Sequence, residues 1–160
     1  MSFQIASFRI HALPAEPFAP LFALSDAELR SRGIRRVTAQ ECPGYPCRVS
    51  LQDAAAGESL LLLPYAHHDV DTPYRASGPI YVRETATQSQ PAVDEVPVLL
   101  RSRLISLRGY DVRGMMVGAD VRPGTELEAG IAELFALERV DSLHLHYAKP
   151  GCYACRVARA

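Results

Sequence analysis

The sequence lacks the features that would place the chain in a membrane, outside the cell or on nucleic acid. Its longest purely aliphatic run covers only residues 60–63, and its first ten residues carry neither a basic segment nor a continuous apolar one. A membrane-spanning helix needs about 20 apolar residues, and a signal peptide needs both missing segments. Seventeen basic and eighteen acidic side chains leave a formal charge of −1, which gives no field that attracts a phosphate backbone. We therefore expect a soluble, cytoplasmic protein with no membrane and no nucleic-acid partner.

Cysteines and catalytic motifs are also scarce. Four cysteines in a chain of 160 residues do not indicate a disulfide framework, because a chain of this length buries a core large enough to fold without one. Cys42-x4-Cys47 and Cys152-x2-Cys155 total four thiols, but Cys152 and Cys155 would point to opposite faces of a strand. We expect buried, reduced thiols and no metal. Dinucleotide, Walker and GxSxG motifs are absent, so whether the chain is an enzyme stays open, as does any cofactor.

Short alternations of apolar and polar residues, separated by turns, predict antiparallel strands. The last two predicted strands are joined by a four-residue turn and should form a hairpin. The predicted strands are residues 3–10, 35–38, 47–51, 59–65, 80–83, 103–110, 115–121, 142–147 and 152–157.

Two helices are predicted from their amino-terminal signals. Ser25 and Glu28 match a capping box, with Gly33 as the stop, and Thr125 and Glu128 match a second box. The second helix carries an apolar stripe formed by Leu127, Ile131, Leu134 and Phe135. Together these elements predict an α+β fold in one domain spanning residues 1–160. Its mainly antiparallel sheet could curl toward a barrel, with two short helices packed on one side.

One connection is longer than most in a compact domain. Residues 84–97 form a polar stretch without a strand or helix pattern. Such a stretch is either mobile or part of a binding rim, and we expect it to be mobile.

Four segments carry a resemblance to a known family. They are PGYPCRVSLQDAAAGESLLLLPY, TPYRASGPIYVRE, RSRLISLRGYD and HLHYAKPGCYACRVAR. In these segments the chain resembles a bacterial family catalogued as domain of unknown function 1203, and the resemblance spans nearly the whole chain. It implies no established activity, cofactor or catalytic residue, so function has to be argued from the residues.

Strand alternation predicts a face rich in arginine and tyrosine. If the strands are neighbours, this face contains Arg48, Tyr81, Arg83, Arg108 and Tyr110. Arginine forks bind carboxylate or phosphate, so the face could hold a small anionic or nucleotide-like ligand. Tyr74 and Arg75, in a loop bounded by proline and glycine, could close over it. The alternative is a solvated sheet face on which arginines lie over tyrosines.

His144 and His146 form a second candidate site. Residues two apart on a strand share a face, with Cα atoms roughly 6.6 Å apart, which can serve one metal ion. No motif supplies a third ligand, and at most one of the adjacent His67 and His68 could join them. The alternative is a pair of half-exposed histidines.

The register of the terminal hairpin decides which residues accompany the two histidines. We favour the register that puts His146 opposite Ala154 and His144 opposite Arg156, over one that puts His144 opposite Cys155. The polar face of the favoured register comprises His144, His146, Cys152 and Arg156. Because an arginine beside the histidines disfavours a cation, an anion site is expected there.

Three functional hypotheses follow. The first is a small-ligand-binding domain, with or without catalysis, that uses the arginine, tyrosine and histidine residues named above. The second is a non-catalytic protein-interaction module, and the third is a metal-binding protein that uses His144 and His146. The oligomeric state is open, and a homo-oligomer is compatible with the sequence.

Overall fold

The computed structural model describes residues 6–160, so residues 3–5 of the first predicted strand lie outside the described residues. The strands, in chain order, are β1 (Phe8–His11), β2 (Arg35–Thr38), β3 (Ser59–His68), β4 (Ala76–Arg83), β5 (Leu104–Tyr110), β6 (Met116–Pro123), β7 (Ser142–Tyr147) and β8 (Tyr153–Arg159). The α-helices are α1 (Asp26–Ser31), α2 (Val98–Arg101) and α3 (Leu127–Phe135), and two 3-10 helices cover Ala19–Ala23 and Gly124–Glu126.

The strands form two sheets. A five-stranded sheet has the order β1-β8-β7-β5-β6, and a three-stranded sheet has the order β2-β3-β4. All the ladders within these sheets are antiparallel. The predicted α+β class is therefore confirmed, but the strands divide between two sheets and the sheets are not closed into a barrel. No helix in residues 6–160 is long and apolar enough to cross a membrane.

Each sheet has its own hydrophobic core. One core lies between the five-stranded sheet and α3, whose predicted apolar stripe is buried there. The other lies among the three-stranded sheet, Leu29 of α1 and Phe18. Tyr153 of β8 belongs to this second core, so the two sheets meet near the beginning of β8.

The two predicted capping boxes have different outcomes. In α1 the Ser25 Oγ accepts from the Glu28 N–H at 3.1 Å, and the Glu28 carboxylate accepts from the Ser25 N–H at 3.0 Å. The second box is wrong, because α3 begins after a 3-10 turn and has no side-chain cap. Glu128 instead accepts from the guanidinium of Arg101 at 2.9 Å.

The predicted strand at residues 47–51 is also wrong. The segment is a tight turn in which the Leu51 N–H donates to the Cys47 carbonyl at 3.1 Å, and Leu51 has a φ of 50°. Cys47 and Val49 are buried as the alternation predicts, but so is Arg48, which was expected to face outward. A turn brings successive side chains into different surroundings, which strand parity does not describe.

The polar stretch at residues 84–97 is held by hydrogen bonds in this structure. The Ser89 N–H donates to the Val49 carbonyl at 2.8 Å, and the Asp94 N–H donates to the Phe8 carbonyl at 2.8 Å. Asp94 Oδ1 accepts from the Phe8 N–H at 3.0 Å. The stretch therefore lies along β1.

Candidate functional site

A cleft of about 420 Å³ lies where the two sheets meet. Its walls come from the loop before β3, from β4, from the α2–β5 turn and from the β7–β8 turn. The lining residues are Gly44, Pro46, Arg48, Tyr81, Ser102, Arg103, Leu104, Tyr147, Ala148, Lys149, Pro150 and Cys152. This volume lies within the range of small-molecule sites.

Arg48 lies in the wall of this cleft and is only 1% exposed. Its Nε donates to the Tyr153 carbonyl at 2.7 Å, its Nη1 to the Pro46 carbonyl at 2.5 Å and its Nη2 to Cys152 Sγ at 3.2 Å. These bonds use three of the five N–H groups of a guanidinium. The three acceptors are two backbone carbonyls and one thiol. Hydrogen bonds therefore hold the Arg48 side chain in place without a carboxylate.

Arg103 and Tyr147 form the adjoining wall. Both Arg103 Nη atoms donate to the Asp53 carboxylate, at 2.9 and 2.6 Å, so that charge is compensated. The Tyr147 ring lies near both guanidiniums, with its centroid 5.0 Å from Cζ of Arg48 and 5.2 Å from Cζ of Arg103. Burial raises the pKa of Tyr147, so its phenol stays protonated at neutral pH.

The cleft carries positive charge that the protein does not neutralise. No ion pair among residues 6–160 includes Arg48 or Lys149. Lys149 is the single lysine of the sequence, and it is exposed at the rim. Two cations therefore line one cleft without a bound carboxylate.

The structure does not bring the three predicted arginines onto one face. Arg83 is paired with Glu58, at 2.7 Å, and this contact lowers the pKa of that carboxyl. Arg108 belongs to the other sheet, where its Nε donates to Ser106 Oγ at 3.4 Å. The Arg48 segment does adjoin β4, since the Arg48 N–H donates to the Tyr81 carbonyl at 3.0 Å, but β5 lies in the other sheet. Only Arg48 of the three arginines lines the cleft.

The other predicted site residues are divided among several places. Tyr81 and Cys152 line the cleft. Tyr74 and Arg75 lie in the β3–β4 loop outside the cleft lining, where Arg75 pairs with Asp69 at 3.1 Å. Arg156 is exposed on β8.

Four histidines come together on the opposite side of β7. The histidine cluster consists of His67 and His68 from β3 and His144 and His146 from β7, with Tyr110 and Tyr153 beside them. The His67 ring centroid is 5.0 Å from that of His146 and 6.2 Å from that of His144. His144 and His146 are buried, so the alternative of a half-exposed pair was wrong.

An irregularity in β3 lets both adjacent histidines join the cluster. The pairing of β3 with β4 shifts register between Tyr65 and His68. In a regular strand His67 and His68 would face opposite sides, which is why at most one was expected to contribute. A β-bulge re-aims side chains in this way and cannot be recognised from alternation.

A second bulge sets the register of the terminal hairpin. His144 lies opposite Arg156, as expected, but His146 lies opposite Tyr153 and not opposite Ala154. The extra residue, Ala154, turns Tyr153 toward the histidines. The predicted polar face is therefore divided, because Cys152 lines the cleft while the histidines are buried behind it.

His144 and His146 are neutral at neutral pH in the folded protein. Burial, followed by the neighbouring His68, lowers the pKa of His144 to about 3, and burial lowers the pKa of His146 to about 4. His146 Nδ1 is 3.1 Å from the Gly151 carbonyl, so Nδ1 carries the proton and Nε2 has a free lone pair. Among residues 6–160, no group of three or more His, Cys, Asp or Glu side chains could hold a metal ion.

Sequence reasoning missed several residues of the cleft and of the histidine cluster. In the cleft these were Arg103, Tyr147 and Lys149, and in the cluster Tyr153 was missed. Tyr147 and Tyr153 fall in predicted strands, where alternation alone does not mark them as site residues. The aromatic and basic composition of residues 147–153 was the available signal, but it was interpreted only as a hairpin turn.

Comparison with protein families identifies one family, and the matched residues include both the cleft and the histidine cluster. Neither the curated proteins nor the solved structures contain a significant match. The family model described as "Protein of unknown function (DUF1203)" matches residues 44–159, which include all the cleft and cluster residues. Since this match covers most of the chain, the protein belongs to the DUF1203 family.

Proposed function

We propose that the protein binds a small organic anion, with a carboxylate or phosphate group, in the cleft lined by Arg48, Tyr147 and Lys149. The observation that carries the proposal is Arg48, a buried guanidinium without a carboxylate partner at the wall of a ligand-sized cleft. Ionised side chains are almost never fully buried unless they are paired. An anionic ligand would supply the missing negative charge.

Three other arginines that are partly buried support this argument by contrast. Arg83, Arg103 and Arg122 are partly buried, and each is paired with at least one carboxylate. Arg48 is the most buried of these four and has only carbonyl and thiol acceptors. Two of its five N–H groups are not used by these bonds, and a charge-assisted bond to a ligand is about twice as strong as a neutral one.

The remaining walls favour an organic ligand over a bare inorganic ion. Tyr81, Tyr147, Leu104 and two prolines contribute aromatic and apolar surface. Ligand sites commonly combine such walls with a few convergent polar groups. We infer a ligand with an apolar or aromatic body, whose anionic end is directed at Arg48 and Lys149.

Thermal unfolding with matched ligand pairs tests the proposal. Each pair is an aromatic or aliphatic carboxylate and its neutral amide, in a buffer free of phosphate and other multivalent anions. A ligand at a hundredfold its Kd stabilises the folded state by about 2.7 kcal/mol, so a bound carboxylate raises Tm and its amide does not.

Two charge-reversal variants provide the control. Lys149→Glu changes an exposed cleft residue and should abolish the rise in Tm. Arg113→Glu makes the same kind of change at an exposed residue outside the cleft, just beyond the far end of β5, and should leave the rise intact. Equal shifts with acids and amides, or an unchanged shift in Lys149→Glu, would contradict anion binding. A panel that moves no Tm would favour the protein-interaction module.

A further inference from the structure

We propose that Cys152 forms a mixed disulfide with an acidic low-molecular-weight thiol, whose carboxylates then occupy the anion cleft. This inference rests on the proposed function, because the charges that hold a free anion would hold the carboxylates of the attached thiol. It names one class of ligand and adds a modification site to the cleft. Two observations carry it: the position of Cys152 Sγ in the cleft wall, and the uncompensated charge of the Arg48 guanidinium that contacts this sulfur.

Cys152 is the one cysteine of the four that both lines the cleft and is partly exposed. Cys47 and Cys155 are 0% and 1% exposed, so a disulfide reagent does not reach their sulfur atoms. Cys42 is exposed but lies outside the cleft lining. Exchange with a disulfide requires access to the attacking sulfur. Access therefore leaves Cys42 and Cys152, and of these two only Cys152 places an attached group in the cleft.

Arg48 determines what the attached group meets. Its Nη2 donates to Cys152 Sγ at 3.2 Å, so a group bonded to this sulfur lies beside a guanidinium that is only 1% exposed. Lys149, in the same β7–β8 turn as Cys152, adds a second cation at the rim. Within the described part of the chain, residues 6–160, neither cation belongs to an ion pair. Two such cations favour a thiol that carries carboxylates over a neutral or basic one.

The cleft also has room for more than the anionic groups. Its volume is about 420 Å³, and Tyr81, Tyr147 and Leu104 provide surface for the uncharged part of the ligand. A volume of this size accommodates an organic molecule. Glutathione, a tripeptide thiol with two carboxylates and one ammonium group, is the probe we choose for this class.

The reaction is a thiol–disulfide exchange with the oxidised, disulfide form of the acidic thiol. The Cys152 thiol gives up its proton, and its sulfur attacks one sulfur of the disulfide. The new S–S bond forms as the old one breaks, and the departing sulfur takes the electron pair and then a proton. Cys152 is thereby oxidised while one half of the disulfide is reduced to a thiol. The exchange is reversible, so the stability of the adduct can be measured at equilibrium.

Equilibration of the reduced wild-type protein with oxidised and reduced glutathione tests the site, with the adducts assigned by peptide mass spectrometry. The disulfide and thiol forms of 2-mercaptoethanol, which carry no charge, are the matched reagents. For each reagent the equilibrium constant of the adduct at Cys152 is divided by that at Cys42, which removes the intrinsic difference between the reagents. We expect this ratio to be at least tenfold larger with glutathione, because only the adduct at Cys152 places carboxylates beside Arg48 and Lys149.

The two charge-reversal variants provide the control here as well. Lys149→Glu should decrease the preference for glutathione, and Arg113→Glu, outside the cleft, should retain it. The comparison of reagents uses the wild-type protein, so it does not depend on the folding of a variant. Equal ratios for the two reagents, glutathione on Cys42 alone, or a disulfide between Cys152 and Cys155 in place of the adduct would overturn the proposal. If free carboxylates still raised the Tm of the wild-type protein in that case, the anion cleft would stand and only the covalent ligand would fail.

Discussion

At the residue scale, the surroundings of a charged or reactive side chain decide its chemistry more than its type does. Arg48 and Arg83 were both assigned to one face from strand parity. In the structure Arg83 is neutralised by Glu58, whereas Arg48 is buried among carbonyl groups and a thiol. The same residue type is therefore a structural ion-pair partner in one position and a candidate ligand-binding group in the other.

The four cysteines give a direct test at this scale. All are free, with Cys42 exposed and with Cys47 and Cys155 buried. Burial raises the pKa of the Cys155 thiol to about 12, so its reactive thiolate form is negligible near pH 8. In the native protein, iodoacetamide should modify Cys42 while Cys47 and Cys155 stay unmodified by peptide mass spectrometry. Unfolding in urea should make all four reactive. Labelling of Cys155 as fast as Cys42 before unfolding would refute the assigned burial.

At the element scale, the patterns that predicted structure correctly involve residues close together in the sequence. The Ser25 box, the α3 apolar stripe and the terminal hairpin depend on neighbouring residues, and all three are present. The two β-bulges depend on how one strand meets its partner. Such irregularities carry little local signal, so they were not predicted.

The two capping motifs provide a matched pair of substitutions. Ser25→Ala removes a cap that accepts from the Glu28 N–H and should lower the free energy of unfolding by about 1 kcal/mol. Thr125→Ala changes an exposed threonine that caps nothing, and its effect should stay within about 0.5 kcal/mol. Urea unfolding of both variants measures the difference. Equal losses would mean that Thr125 has a capping role after all.

The junction between α2 and the turn before α3 depends on a glycine. A Cβ on Gly124 would lie 1.7 Å from the carbonyl oxygen of Leu100, which is backbone and cannot rotate away. Gly124→Ala should therefore lower the free energy of unfolding by about 2 kcal/mol or more. Gly78→Ala is the control, since a Cβ there meets no atom within 4 Å, and it should be nearly neutral. A stable Gly124→Ala protein would contradict the close approach of these two segments.

At the scale of the whole molecule, the contact between the two sheets creates both candidate sites. The cleft takes Tyr81 from the three-stranded sheet and Tyr147 from the five-stranded one. The histidine cluster likewise takes two residues from β3 and two from β7. Residues that are far apart in the sequence meet at this junction.

This architecture explains how much of the fold and of the cleft could be predicted from the sequence. Alternation predicted the α+β class and the approximate positions of most strands, the Ser25 capping box predicted α1, and the apolar stripe predicted α3. They did not predict that the strands divide into two sheets, because local pattern does not specify which strands are neighbours. The candidates Arg48, Tyr81 and Cys152 line the cleft, but their neighbours Arg103, Tyr147 and Lys149 depend on how the sheets meet.

The anion cleft is the central claim, and Cys152 provides an internal reporter for it. This thiol lines the cleft and accepts a hydrogen bond from Arg48 at 3.2 Å, whereas Cys42 lies outside the cleft lining. The most direct measurement compares alkylation by anionic iodoacetate and by neutral iodoacetamide at both cysteines. The iodoacetate-to-iodoacetamide rate ratio should be severalfold higher at Cys152 than at Cys42, because uncompensated positive charge concentrates an anion near it. That excess should disappear in Lys149→Glu and decrease with added salt. Equal ratios at the two cysteines in the wild-type protein would contradict an anion-binding cleft.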